Sequence, residues 1–313
     1  MNKHYIAIHG RSNKPPAHIL EDSWLRAIND GRKQTNQSLI NKSQFSMAYY
    51  ADVFYQQPLY FDPEPYLPSL PKPSPLEPYV PYVPSLPFLP YLPDMTDIPS
   101  NHSPIPLAVD EDHLSEMMEQ NKWRLDNHFF EPLLPEFGVY RALNYLSKPL
   151  LRYWLTDVYH YFHDPAFALE IEKPLIRLLQ QYRHHSITLI SHSLGTVIAY
   201  NVLQKLAVQR TTQDITIDKW ITLGSPLGLA SVKAQLKRNL QSPLAVPENV
   251  SAWLNYSDKR DIVCIDGDLA DDFAKNNSGV SVQDFQVVNA YPGNPHKSYG
   301  YLQGLGMYLS SRK

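Results

Sequence analysis

The chain has 313 residues, 43% of them hydrophobic, with 28 Lys and Arg against 31 Asp and Glu for a net charge of -3. That length accommodates one large α/β domain over residues 1–313, and without a Lys/Arg cluster there is nothing to neutralise phosphates, which excludes a nucleic-acid partner. The lone cysteine, Cys264, can form no internal disulfide and has no metal-ligand spacing around it, so it reads as a small buried hydrophobe, and neither metal nor cofactor is expected.

The first residues lack the apolar core of a signal peptide, and no run of ~18 apolar residues follows, so a cytoplasmic protein is expected. Tyr5-Ile6-Ala7-Ile8, ended by His9-Gly10, reads as a buried parallel strand. Pro15 and Pro16 mark a loop, and Ile19, Leu20, Trp24, Ala27 and Ile28 predict a helix over 17–33. Residues 45–55 read as a second strand. Proline then falls at 65, 68 and 71, and every third residue from 75 to 93. Polyproline II has three residues per turn, so this is an extended arm of roughly 55 Å over 75–93, aligned along one edge. The arm either covers its own domain or acts as a linker. Alternatively, its Tyr, Leu and Phe offer 63–93 for self-association or contact with a lipid surface.

Helices are predicted at 110–122, 138–162 and 164–184, the last opened by Asp164-Pro165 and bent at Pro174. Strands at 187–190, 220–223, 252–256 and 285–289 then alternate with helices at 195–208 and 298–310. Such alternation implies an α/β fold with a parallel sheet between two helical layers.

Ser191-His192-Ser193-Leu194-Gly195 falls between the 187–190 strand and the 195–208 helix. A nucleophile elbow requires that context: a sharp turn lifts the serine hydroxyl above the sheet, and small residues two before and two after let strand and helix approach. The usual G-x-S-x-G has Gly where this chain has Ser191. A serine hydroxyl needs a base, and the base an orienting acid. His296 is the only histidine after Ser193, on a loop beyond the 285–289 strand. Asp258 and Asp261 lie in the loop after the 252–256 strand, with Asp266 and Asp268 farther on.

These motifs resemble the α/β-hydrolase superfamily, in its lipase- and esterase-like branch. Leu223-Gly224-Ser225-Pro226 is similar to a turn of that branch, and Asp157-Val158 with Tyr161 is a weaker echo, both also readable as structural. The resemblance covers 1–55 and about 148–313. It implies a mostly parallel sheet of about six strands, without the family's first two. It implies a Ser193–Asp261–His296 triad, because family members often place the acid before a pair like Ile262-Val263; Asp258 is the alternative. It also implies that His9-Gly10-Arg11 is the family's oxyanion loop, with the Arg11 and Leu194 amides as donors and Gly10 as the alternative to Arg11. The activity implied is hydrolysis of a small-molecule or lipid carboxylic ester. Residues 56–147 have no counterpart and read as a Pro-rich and helical insertion, a lid or an interaction arm, whose aromatic content suits an apolar acyl chain. Two alternatives stand beside this: an acyltransferase or thioesterase with the same triad, and a non-catalytic protein that binds through the Pro-rich arm.

Overall fold

A computed structural model describes residues 2–59, 77–78, 158, 161–208, 215–240, 242–264, 266–292 and 294–308. The expected helices at 110–122 and most of 138–162 lie outside the described residues, as do the arm apart from 77–78 and most of the 56–147 insertion.

Six parallel strands form the sheet: β1 (Lys3–Ile8), β2 (Phe45–Ala48), β4 (Ser186–His192), β5 (Lys219–Leu223), β6 (Trp253–Ser257) and β7 (Val282–Gln286). Their order is β2-β1-β4-β5-β6-β7. A two-residue strand, β3 (Glu77–Pro78), pairs antiparallel with β7 at the edge, where proline's missing donor is tolerated. The central strand β4 is buried from Ile187 to His192, as a strand covered on both faces must be. The molecule is therefore of the α/β class, with six parallel strands flanked by helices.

Two cores sandwich the sheet. On one face, α3 (Pro165–Gln181) and α4 (Leu194–Val208) bury Ile171, Leu175, Val197 and Val202 against Ile6, Ile8 and Leu189. Trp220 and Trp253 stack there, ring centroids 4.1 Å apart. Asp164 caps α3, its side chain accepting from the Phe167 amide at 3.1 Å, and Pro174 is accommodated inside the helix rather than ending it. On the other face, α1 (Ala17–Gln34) packs on α6 (Ser298–Tyr308). Glycines set that crossing: a Cβ on Gly31 would meet the Gln303 carbonyl oxygen at 1.9 Å, and one on Gly306 the Ile28 oxygen at 2.0 Å. α6 thus forms despite its glycines because they admit a neighbouring backbone. Among the described residues the remaining α-helices are α2 (Ala51–Phe54) and α5 (Ala230–Leu240).

Two strands depart from expectation. The second ends at Ala48, not 55, because the Tyr50 amide leaves the sheet to bond His9 Nε2 at 3.1 Å and α2 follows. The last runs Val282–Gln286 rather than 285–289. Gln283 and Asp284 interrupt its apolar pattern, yet Asp284 belongs there, accepting from Asn255 and from the Leu269 and Ala270 amides. At its far end the chain turns off, and the Asn289 amide bonds Asp258 Oδ2.

Candidate active site

Ser193 sits between β4 and α4 with φ of 55°, in the left-handed region that a non-glycine residue enters at a cost of about 1–3 kcal/mol. The turn explains its neighbours' sizes. A Cβ on Gly195 would meet the His9 carbonyl oxygen at 2.5 Å, and one on Gly10 would meet Ser193 Cβ at 2.7 Å. Ser191, at the usual glycine position, is fully buried and satisfied: its hydroxyl donates to the Ile221 carbonyl at 3.1 Å and accepts from the Trp220 indole at 2.9 Å. The extra oxygen therefore ties the elbow to β5.

The structure brings Ser193, His296 and Asp261 together. Ser193 Oγ is 2.9 Å from His296 Nε2, and His296 Nδ1 is 2.7 Å from Asp261 Oδ2. A carboxylate accepts only, so Nδ1 carries the hydrogen and Nε2 presents its lone pair to the serine hydroxyl. Asp261 is held in turn by the Val263 amide on Oδ1 at 3.0 Å and the Tyr301 hydroxyl on Oδ2 at 2.9 Å. Burial first, then the Asp261 charge, raises the Tyr301 phenol well above its usual range, which keeps it a donor. Cys264 is a buried free thiol beside the Tyr301 hydroxyl, 3.7 Å away, its pKa pushed well up by burial. It behaves as the expected small hydrophobe, not as a nucleophile.

Asp258 sits apart from the serine. Its carboxylate pairs with Arg260 at 2.7 Å and accepts the Arg260 and Asn289 amides at 2.8 and 2.5 Å. Asn289 in turn donates to the Pro295 and Lys297 carbonyls, both at 2.8 Å, on either side of His296. Asp266 and Asp268 make no contact with His296 in the described geometry; Asp266 lies 3.5 Å from Lys233.

Two further histidines buttress the site. His9 is fully buried: Nε2 accepts from the Tyr50 amide, so Nδ1 carries the hydrogen and donates to the Gly10 carbonyl at 2.6 Å. Burial, helped by Lys14, lowers its pKa to about 3 and keeps it neutral. His192, beside Ser193, bonds the His296 carbonyl through Nε2 at 2.8 Å. That acceptor fixes the hydrogen on Nε2, and burial holds the ring neutral, its pKa well below the ordinary value. Of the expected oxyanion donors, Leu194 opens α4, where first-turn amides have no intrahelical acceptor. Arg11 and Gly10 line the cleft over Ser193.

The cleft has a volume of about 230 Å³ and opens over Ser193, His192 and His296. Comparison with protein-family models, with curated proteins and with solved structures gives no match. Sequence reasoning missed Tyr301, Asn289 and the bond from His192 to the His296 carbonyl, all contacts between segments far apart in the chain. The only signal for Asn289 was its place at the end of the expected 285–289 strand, ahead of the His296 loop. Among the described residues no His, Cys, Asp and Glu group could hold a metal ion, and no helix is long and apolar enough to cross a membrane.

Proposed function

We propose that the chain is a serine hydrolase of the α/β-hydrolase type that cleaves carboxylic esters through an acyl-enzyme. The observation that carries this reading is the continuous chain of contacts from Ser193 Oγ through His296 to Asp261, with the serine on a strained strand-to-helix turn. Six parallel strands flanked by helices are compatible with that fold type.

In this mechanism His296 Nε2 takes the Ser193 proton as Oγ attacks the acyl carbon. Negative charge builds on the carbonyl oxygen, and the Leu194 and Arg11 amides, or Gly10 in place of Arg11, stabilise it. His296 gives its proton to the departing alcohol. Water then loses a proton to the same nitrogen and attacks the acyl-enzyme, releasing the acid and restoring Ser193. Asp261 holds the tautomer and stabilises the imidazolium at each transfer.

The test uses p-nitrophenyl esters of short to long acyl chains and a fluorophosphonate probe, on wild type and Ser193→Ala. Wild type is expected to turn over ester and take the label, and Ser193→Ala to do neither. Ester turnover that survives Ser193→Ala would sink the reading. Labelling without ester turnover would redirect it to acyl transfer or another acyl bond.

A further inference from the structure

His192 and Ser193 are consecutive residues of the strand-to-helix turn, and both bond the same distant residue. Ser193 meets the tip of the His296 side chain, Oγ to Nε2 at 2.9 Å. His192 meets that residue's backbone, donating from its own Nε2 to the His296 carbonyl at 2.8 Å. One hydrogen bond fixes a distance. Two, from adjacent residues to the two ends of one residue, fix a distance and a direction. His296 can neither slide away from Ser193 nor swing about its own Cα without stretching one of them.

His192 also confines the imidazole from the side. The two rings lie 4.7 Å apart, centre to centre, at 35°. The outer torsion of a histidine is otherwise broad, and a ring packed at that range narrows it. His192 is itself held: it is buried, with the Trp24 indole edge-on at 6.4 Å and the Tyr301 ring at 6.1 Å. A Cβ on Gly10 would come within 3.1 Å of its Nδ1. Burial, then the nearness of His296, keeps the ring neutral, so it adds no positive charge beside the imidazolium of the proposed mechanism.

Other anchors of His296 come from other segments. Asp261 holds Nδ1, and Asn294 Oδ1 accepts from the His296 amide at 3.0 Å. Asn289 clasps the Pro295 and Lys297 carbonyls. His192 differs from these three in being joined to Ser193 by a peptide bond. Its hold on His296 therefore sets the spacing of Oγ and Nε2 directly, and not through the body of the protein.

We propose that His192 is a positioning residue of this site, whose Nε2–H bond to the His296 carbonyl and packed ring register the imidazole against Ser193 Oγ. The proposal rests on the serine-hydrolase reading and adds to it a residue that moves no proton itself.

The experiment measures kcat and KM for p-nitrophenyl acetate, and the rate of fluorophosphonate labelling, in wild type, His192→Phe and His192→Gln, each per folded molecule. Phenylalanine keeps a ring and removes the donor. Glutamine removes the ring and offers an amide N–H at nearly the reach of Nε2. Misplacing a reacting group by about 1 Å costs up to about 10²-fold, so His192→Phe is expected to lose about 10–100-fold in kcat and in labelling rate, with KM changed less than about threefold. His192→Gln is expected to recover most of that loss. A His192→Phe enzyme as fast as wild type overturns the proposal. So does a loss that falls on KM alone, and so does a folded His192→Gln enzyme no better than His192→Phe. Should His192→Phe fail to fold, nitrogen NMR of histidine-labelled wild type decides, with the His192 signals assigned by their loss in His192→Gln. A neutral ring with its hydrogen on Nε2 is expected, and a hydrogen on Nδ1 alone overturns the proposal. Each of these adverse results leaves the hydrolase reading standing. Wild type that is neither labelled nor active overturns that reading, and the proposal falls with it.

Discussion

Asp258 and Asp261 stand three residues apart in one loop, 2% and 1% exposed, yet they act on His296 by different routes. Asp261 touches the imidazole. Asp258 grips Asn289, which clasps the backbone on both sides of that histidine. One carboxylate sets the proton's position and the other sets the loop's. The difference comes from the oxygens' partners, since neither burial nor spacing separates the two residues.

The same substitution at each position should split catalysis from stability. In Asp261→Asn, an oxygen kept on the Val263 amide turns the NH2 toward His296 and forces the hydrogen onto Nε2. The base then has no lone pair for Ser193. We expect kcat to fall about 10³–10⁴-fold with the melting temperature little changed, read by ester turnover and calorimetry. Asp258→Asn must set its NH2 against the Arg260 amide on one oxygen or the Asn289 amide on the other. We expect a stability loss of about 3 kcal/mol in urea titration and a kcat change of roughly tenfold or less per folded molecule. Equal effects of the two variants on kcat would erase the distinction.

The histidines sharpen it further. His9 is neutral when folded, its pKa lowered to about 3, mainly by burial, while the unfolded chain takes the proton near 6.5. Its contribution is therefore complete above pH 6.5 and is lost as pH falls toward 3, at no more than about 1.4 kcal/mol per pH unit. His9→Gln keeps an acceptor for the Tyr50 amide and removes the titration, so its urea midpoint should depend less on pH than wild type between 6.5 and 4. An unchanged pH dependence would count against a buried neutral His9. The smallest effect belongs to Tyr301→Phe, which deletes one of two hydrogen bonds to Asp261 Oδ2. A kcat loss of about fivefold is expected, with the pH–rate profile displaced, because the imidazolium's counter-charge loses a donor.

The strands and helices around Ser193 were legible because each carries its own periodicity and each lies between clear turn residues. The elbow was legible for the same reason: its small residues answer to close backbone contacts that any such turn must make. The choice between Asp258 and Asp261 was not, since local sequence says nothing of Asn289 or Tyr301, 31 and 40 residues away. The end of β2 was missed for a similar reason, because a side chain 41 residues upstream captures the Tyr50 amide. Asp284 hid the start of β7, since a carboxylate inside a strand is unexpected until its three donors are seen.

The two loops that line the cleft at Ser193 each lead straight into a helix: the 10–16 segment into α1, and the loop bearing His296 into α6. The two helices meet backbone to backbone at Gly31 and Gly306. The crossing works like the pivot of a caliper whose jaws are the 10–16 segment and the loop bearing His296. A single methyl group added at Gly31, well away from the chemistry, would spread the pivot and with it the gap that an acyl carbon has to fit.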